Sequence, residues 1–506
     1  MAQIVISDLS FGYEGSYDNI FEHVSLTLDT DWKLGLVGRN GKGKTTLLRL
    51  LMGGYEYQGS IRTPTVFEYF PFPAEGPECE NVIDLAERRF PDCELWKIMR
   101  EMELLNLRTE ILYRPFDNLS YGERSKVMLA LLFSRENAFL LIDEPTNHLD
   151  WKAREQVAGY LKRKKGFILV SHDRLLLDSC VDHVLALERS GIQLEKGNFS
   201  SWWENKRRRD QFERGENEKL KKEIGRLQET ARQARRWADR VEDSKIGYDP
   251  RKEKTFIGTR AYLGEKSRRM QQRRKNLERR QEKAAEEKRL LLKNIEQPAE
   301  LRLTPLLHHR EVYVCMEDVS VFYGSHKVLS HFSMNLRRGE RVLLQGINGC
   351  GKSTALRTIL SACGAEQEVN CSGLRTEGKI EVASGLKISH VSQDTSHLSG
   401  SLKDYVERAG VEESLCKAIL RQLNFGREQF GKMMEDYSEG QKKKVLLAVS
   451  LATPAHLYVW DEPLNYIDVF SRMQLEELIL RYRPAMLLVE HDRAFAEKCA
   501  TRKIEM

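Results

Sequence analysis

Long apolar runs are missing from this sequence. No stretch approaches the roughly 18 consecutive apolar residues of a membrane span, and the first residues, MAQIVISDLS, lack the basic and apolar regions of a secretory leader. These two absences argue against an integral membrane protein and against a secreted one, so the expectation is a cytoplasmic chain. Cysteine pairs are missing as well. The nine cysteines, at 79, 93, 180, 315, 350, 363, 371, 416 and 499, show no C-x-x-C spacing, which favours reduced, mostly buried thiols over zinc sites or disulfides. Proline is absent from Pro145 to Pro250 and again from Pro250 to Pro298. Two such stretches leave room for two long helices meeting at one turn. What is present is ordinary in amount, with 31% charged and 41% hydrophobic residues in a chain of 506, a length suited to roughly two to four domains.

The charge is unevenly placed. Residues 201–300 hold 30 Lys and Arg against 19 Asp and Glu, a local charge of +11, whereas the whole chain carries +6, so the flanks together are acidic. Within this segment Leu220, Ile224, Leu227, Ala231, Ala234, Ala238 and Val241 alternate by four and three residues, which is a heptad seam. A poorer seam follows: Met270, Leu277, Ala284 and Leu291 recur every seven residues, with polar Arg274, Gln281 and Lys288 between them until Ile295. The pattern predicts an antiparallel helical hairpin of about 40 residues per arm, on the order of 60 Å long. Its tip, Ile246 to Gly264, sets Tyr248, Phe256, Ile257 and Tyr262 among basic residues. Exposed aromatics with cations suit phosphates and unstacked bases. A solvated, charged spacer fits the same residues equally well.

Chemistry is concentrated on either side of this segment. An apolar strand, Lys33 to Val37, runs into Gly38-Arg39-Asn40-Gly41-Lys42-Gly43-Lys44-Thr45, and the helix-like Thr46 to Gly53 follows. This is G-x-x-x-x-G-K-[ST] in a strand–loop–helix setting. Gly38, Gly41 and Gly43 let backbone N–H groups curl round phosphate oxygens, Lys44 carries charge to the β and γ phosphates, and the Thr45 hydroxyl suits magnesium. Downstream lies Leu119-Ser120-Tyr121-Gly122-Glu123, then a helical Arg124 to Ser134. An apolar strand from Phe139 to Ile142 ends at Asp143-Glu144, and another, Phe167 to Val170, ends at Ser171-His172-Asp173. A carboxylate at the end of a buried strand can hold magnesium, and the next Glu can polarise a water against a γ phosphate. Taken singly, the acidic pair would read as a helix cap and His172 as an ordinary strand-end histidine.

The series then repeats. Tyr323 matches Tyr13. Gly346-Ile347-Asn348-Gly349-Cys350-Gly351-Lys352-Ser353, with Thr354 after it, matches the first phosphate loop with its Thr46. Tyr437-Ser438-Glu439-Gly440-Gln441 matches the Leu119 motif, Asp461-Glu462 matches Asp143-Glu144, and His491 matches His172. Ser120 to Asp143 and Ser438 to Asp461 both span 23 positions, while the acidic residue precedes the histidine by 29 in one half and 30 in the other. Five motifs in one order, twice, establish an internal duplication.

At these residues the chain resembles the ATP-binding cassette ATPases over nearly its whole length. The resemblance implies an α/β fold of two P-loop cassettes joined by a long antiparallel helical hairpin: residues 1–198, a linker 199–305 with its tip at about 246–264, and residues 306–506. It implies ATP and Mg2+ as cofactors, Walker A at Gly38–Thr45 and Gly346–Ser353, signatures at Ser120–Glu123 and Ser438–Gln441, and Walker B at Asp143 and Asp461. Glu144 and Glu462 match the family's general base, His172 and His491 its switch histidine, and Tyr13 and Tyr323 its adenine-stacking aromatic, with Tyr17 a competitor. Such cassettes pair head to tail. One site would join Lys44, Thr45, Asp143, Glu144 and His172 with Ser438, Gly440 and Gln441. The other would join Lys352, Ser353, Asp461, Glu462 and His491 with Ser120, Gly122 and Glu123, and Asn40 and Asn348 would belong to the same ATP sites.

Two cassettes in one chain, a long basic linker, and the string DEPTNHLD at Asp143–Asp150 resemble the ABC-F translation factors, and within them the Lsa/Vga-type antibiotic-resistance branch. Between the first phosphate loop and its signature only Pro73 to Asn118 is available, which leaves little room for the extra arm of housekeeping members. The resemblance implies a monomer whose two cassettes pair within one chain. It implies the 70S ribosome as partner, with the hairpin entering the E site toward 23S rRNA and peptidyl-tRNA, and Phe256 as the deepest contact at a drug site. A housekeeping translation factor, a transporter ATPase subunit and a DNA-linked ATPase are the competing classes. The chain also departs from the family: Phe72 stands where a Q-loop glutamine is expected, whereas the second half keeps Gln393, expected at the magnesium. The signatures read SYGE and SEGQ, and the second Walker B continues DEPLNYID. Unequal sites are expected, the first the slower.

Overall fold

The computed structural model describes residues 2–13, 19–73, 80–91, 93–147, 149–188, 191–246, 301–347, 349–364 and 374–506, with nine positions between 268 and 284. It divides into two packed units, residues 1–202 with 299–506, and residues 203–298.

The first unit holds the duplication as two α/β lobes. In the first lobe β1 (Gln3–Phe11) pairs antiparallel with β2 (Phe21–Asp29) on one side and β4 (Gln58–Arg62) on the other. A second sheet runs β5 (Val66–Phe70), β6 (Ala138–Asp143), β7 (Phe167–Val170), β3 (Lys33–Gly38), β8 (His183–Glu188) and β9 (Gly191–Lys196). It is parallel except for β9. The second lobe repeats the plan. An antiparallel sheet orders β11 (His326–Arg337), β10 (Val312–Tyr323) and β13 (Leu374–Val382). A wholly parallel one orders β14 (Ile388–Val391), β15 (Leu457–Asp461), β16 (Ala485–Val489), β12 (Arg341–Gln345) and β17 (Arg502–Glu505). The predicted strands at Lys33, Phe139 and Phe167 and the helices after Gly43 and Ser120 are all present.

Parallel strands buried on both faces lose the polar alternation of surface strands. In β15 Tyr458 and Trp460 pack into one apolar layer while Leu457 and Val459 pack into the other. The first of these layers includes Leu446 and Leu451 of the Glu439–Ala452 helix, and the second includes Leu356 and Ile359 of the phosphate-loop helix. The first lobe buries Leu34, Leu36, Leu48, Phe139 and Ile168 between its two sheets in the same way. One consequence matters for function. Strands β6, β7 and β3 are neighbours, as are β15, β16 and β12, so the phosphate loop, the acidic pair and the histidine of each lobe all emerge at adjacent carboxyl ends. That crevice is where open parallel sheets bind ligands.

A 48-residue helix, Phe199–Ile246, begins in the first unit and supplies most of what is described of the second. It would be roughly 70 Å long at 1.5 Å per residue. Of its heptad seam, Leu220 is half-buried and Ile224 buried; the side chains from Leu227 to Val241 lie outside the described residues. Positions 268, 269, 272, 275, 276, 279, 280, 283 and 284 are helical. The tip residues Tyr248, Phe256, Ile257 and Tyr262 also lie outside the described residues, as do Asn348 and Tyr17. Among the described residues no helix is long and apolar enough to cross a membrane.

Candidate nucleotide sites

Both phosphate loops turn on left-handed glycines. Gly43 (φ 88°) and Gly351 (φ 98°) stand immediately before the helices Lys44–Leu51 and Lys352–Ala362, and a Cβ on Gly43 would lie 2.6 Å from Ile20. Only glycine serves there. Each loop folds its lysine back over itself: Lys44 Nζ donates to Gly38 O at 2.8 Å and Asn40 Oδ1 at 3.2 Å, and Lys352 Nζ to Gly346 O and Ile347 O, both at 2.9 Å. Burial holds the Lys44 ammonium below its ordinary pKa. A helix N-terminus with a buried cation in its first turn is an anion site.

The acidic pairs sit opposite these loops. Thr45 Oγ1 donates to Asp143 Oδ2 at 2.9 Å, and Ser353 hydrogen-bonds Asp461. A hydroxyl and a carboxylate side by side make an all-oxygen donor set suited to a hard divalent cation, and Asp461 Oδ1 is buried without a hydrogen-bond partner. The following glutamates are held in an unusual backbone conformation: Glu144 has φ 50° and Glu462 φ 47°. Their N–H groups donate to Val170 O and Val489 O, each at 2.9 Å. Such left-handed non-glycine residues are uncommon and cluster at functional sites. The twist aims both carboxylates at the histidines, with His172 Nε2 3.4 Å from Glu144 Oε1 and His491 Nε2 3.4 Å from Glu462 Oε1.

The two sites differ electrostatically. Burial, reinforced by the Asp143 charge, pushes Glu144 up to about 8, and burial together with the Lys44, Arg472 and Lys444 charges holds His172 well below its usual value. In the second site burial and the Glu462 charge raise Asp461 to about 6. Burial also works to raise Glu462, but hydrogen bonds from His491 and Asn465 and the Lys443 charge outweigh it, leaving that carboxyl below its ordinary value. Asn465 Nδ2 and Gln393 Nε2 both donate to Glu462 Oε2, at 2.7 and 3.2 Å.

Strand register explains the missing glutamine. Phe70 of β5 pairs with Ile142 and Val391 of β14 with Trp460, one residue before each acidic pair, so Phe72 occupies the place of Gln393. Phe72 is buried, edge-on to Phe90 with ring centroids 5.9 Å apart and the Arg89 guanidinium 5.1 Å over its ring. A group that sequence reasoning passed over stands nearby: Tyr69 donates its hydroxyl to Asp143 Oδ2 at 2.9 Å. Its equivalent in the second lobe is His390, and burial raises Tyr69 while it lowers His390 to about 4. The only signal in the sequence was alternation along β5, which puts Phe67 and Tyr69 on one face.

The lobes meet at these sites. Asn40 Nδ2 of the first phosphate loop donates to Tyr466 O at 3.0 Å, and Arg39 Nη1 to Asn424 Oδ1 at 3.0 Å. Tyr466 packs against Gly440 of the second signature, where an added Cβ would lie 3.0 Å from the Tyr466 Cβ. Ser120 and Ser438 cap the signature helices Tyr121–Phe133 and Glu439–Ala452, and Glu123 and Gln441 complete the capping boxes. A cavity of about 310 Å³ is lined by Gly349, Gly351, Lys352, Ser353, Thr354, Gln393, Glu462, Asn465 and His491, with Arg154 reaching in from the first lobe. Ser120, Gly122 and Glu123, which the resemblance sets in this site, do not line that cavity. Tyr13 is 43% exposed, its hydroxyl 2.9 Å from Thr46 Oγ1, and Tyr323 accepts from Arg357 Nη1 at 3.3 Å.

A family model described as ABC transporter matches residues 21–147 and 329–465, more than half of the chain. The chain belongs to the ATP-binding cassette family. It is a twin-cassette ATPase, each lobe carrying one ATP-binding cassette. Along almost its whole length it is similar to the ribosome protection protein VmlR of Bacillus subtilis, at 27% identity over 99% of this chain and 86% of that protein. It is 26% identical to the erythromycin resistance ATP-binding protein MsrA of Staphylococcus epidermidis, over 94% of this chain and 92% of that one. These similarities bear out the resemblance to the ABC-F class. Among solved structures, a complex of the archaeal ribosome recycling factor aABCE1 with the stalk protein aP1 matches with a TM-score of 0.63 at 19% identity, over 98% of this chain and 87% of that one. At that identity the likeness speaks for the fold.

One cross-cassette contact has no twin. Arg174 meets Glu476 through both guanidinium nitrogens, with Nη1 to Oε2 at 3.2 Å, and Lys498 Nζ lies 3.4 Å from the same carboxylate. Both partners of the pair are buried. The equivalent positions of the other half hold Arg493, paired with its own helix neighbour Glu497, and Ala158. Arg174→Ala should therefore lower stability by about 3 kcal/mol, because it strands a buried carboxylate, while Arg493→Ala should cost at most about 0.5 kcal/mol. In chemical unfolding the Arg174→Met, Glu476→Leu double variant should lose less than Arg174→Ala alone. A larger loss for the double variant would contradict a pair whose main cost is desolvation.

Proposed function

We propose that this protein binds the ribosome in its ATP-bound, closed form and protects it from antibiotics of the peptidyl-transferase centre, its linker hairpin passing through the E site. One observation carries the reading. The linker helix is rooted on the parts that respond to nucleotide: Ser200 donates from its N–H and hydroxyl to Asp178 at 2.7 and 2.6 Å, on the helix that follows His172. Trp202 meets Phe470 at 6.1 Å between ring centroids, on the helix that follows Tyr466. A switch at the phosphates thus has a continuous packed route into the base of a long basic helix, and phosphate-ordered switches commonly act in this way. The relatives named for ribosome protection and erythromycin resistance support the choice of partner and phenotype.

In this reading residues 1–198 and 306–506 are the cassettes and 199–305 the linker, its tip facing 23S rRNA and peptidyl-tRNA in the cytoplasm, with the chain acting as a monomer. Lys44 and Lys352 hold the phosphates, Tyr13 and Tyr323 the adenine, and the signature residues close each site from the opposite cassette. Mg2+, held by Thr45 with Asp143 and by Ser353 with Asp461 and Gln393, would screen phosphate charge. Glu144 and Glu462 orient and deprotonate the attacking water, steadied by His172 and His491. Site one, with Phe72 in place of the amide, turns over more slowly.

The decisive test is co-sedimentation of the Glu144→Gln, Glu462→Gln variant with 70S ribosomes. Pelleting should require ATP and weaken at least about ten-fold between about 50 and 200 mM salt, as phosphate contacts demand; pelleting that ignores ATP and salt would remove the ribosome reading. Shortening Ile246–Gly264 should leave ATP binding intact and abolish drug protection in a cell-free translation assay, and protection by the shortened chain would sink the hairpin mechanism. If that assay shows ATP-dependent binding with no drug effect, the housekeeping translation factor becomes the better reading. For the unequal sites, Glu462→Gln should remove most of the steady-state ATPase rate and Glu144→Gln little of it; equal losses would argue for equivalent sites.

A further inference from the structure

Lys443 lies in the second turn of the Glu439–Ala452 helix and is buried, 3% exposed. Its Nζ donates to Ser392 O at 2.8 Å, to Asp461 O at 3.2 Å, and more weakly to Gln393 O at 3.5 Å. One ammonium thereby ties together the ends of two neighbouring strands, β14 and β15. From the first of these ends comes Gln393, and from the second come Asp461 and Glu462. The Gln393 amide in turn donates to Glu462 Oε2. Burying a lysine is costly unless its charge is satisfied, and here its hydrogen bonds go to backbone carbonyls around one site, with the Asp461 and Glu462 carboxylates close by.

The duplicated half supplies the control. The equivalent position holds Ser125, whose hydroxyl turns back to Tyr121 O at 3.0 Å in its own helix and reaches neither strand end. The equivalent turn carries Phe72, packed away against Phe90 and Arg89. The lobe with an amide at this turn has a lysine beneath it, and the lobe without the amide has none.

We propose that Lys443 is a positioning residue for ATP hydrolysis at the second site, bracing the Gln393 turn against the Asp461–Glu462 strand end so that the amide stays on the Glu462 carboxylate. The inference rests on Glu462 serving the reaction there. It is tested in a Glu144→Gln parent, where turnover comes from the second site. Lys443→Met, and Lys443→Gln as a variant that keeps a donor, should lower kcat about ten-fold or more, as small misplacements near reacting groups do, with KM for ATP changed less than about two-fold. Lys443→Arg should restore kcat to within about three-fold of the parent. Added to Gln393→Ala, Lys443→Met should cost no more than about two-fold further, because the lysine acts through the glutamine.

A merely structural lysine would show otherwise. Losses that multiply with Gln393→Ala, or a raised KM at unchanged kcat, would overturn the proposal. Absence of all turnover in the Glu144→Gln parent would instead remove the second site as a hydrolytic one, and the role of Lys443 with it.

Discussion

Two adjacent carboxylates at the end of a buried strand repel each other, and each cassette is arranged around that repulsion. A carboxylate pair in low dielectric cannot hold both charges cheaply, so its surroundings decide which partner keeps the proton. In the first cassette Asp143 takes hydroxyl donors from Thr45 and Tyr69, and the penalty falls on Glu144, whose carboxyl is pushed up to about 8. In the second, donors gather on Glu462 from Gln393 and Asn465, and the penalty falls on Asp461, raised to about 6. Burial thus falls most heavily on different members of the pair in the two cassettes. The difference comes from a few side chains around the pair, Tyr69 in one cassette and Gln393 and Asn465 in the other.

The same economy shapes the contact between cassettes. Polar groups from one lobe complete the surroundings of the other: Asn40 reaches Tyr466, Arg154 lines the second cavity, and the Arg472 charge acts on Glu144. Arg154 and Arg472 hold equivalent positions in the two halves, whereas the Arg174–Glu476 pair has no equivalent, Ala158 standing at the position that matches Glu476. The buried pair thus sets one edge of the interface apart chemically, since removing either partner alone would leave an uncompensated buried charge there.

The linker joins this machinery at its root. Phe199 and Trp202 are buried, while the helix beyond them is polar and basic. The first turn belongs to the cassettes in packing. Its two tethers, Asp178 and Phe470, lie on helices that follow His172 in one cassette and Tyr466 in the other. This turn therefore contacts both cassettes at once.

Much of the architecture was legible in the amino-acid order. Glycines at fixed offsets before a lysine, an acidic pair closing an apolar run, and the recurrence of the first after 308 residues and of the second after 318 determine two phosphate-binding cassettes, because these motifs are local and each residue type has one backbone or charge role that few others can fill. The helix Phe199–Ile246 was legible for a similar reason, its freedom from proline being a property of consecutive residues. Lys443, Tyr69, Arg154 and the Arg174–Glu476 pair were not legible. Each acts through a partner distant in sequence, and in the linear chain a lysine destined for a buried bracket looks like its neighbours Lys442 and Lys444. Strand order and the pairing of the two halves brought these groups together, so the motifs and the expectation of unequal sites were written into the sequence, but the groups that make the sites differ were placed only by the tertiary structure, where burial sets the cost of each charge and decides which acceptors a donor can reach.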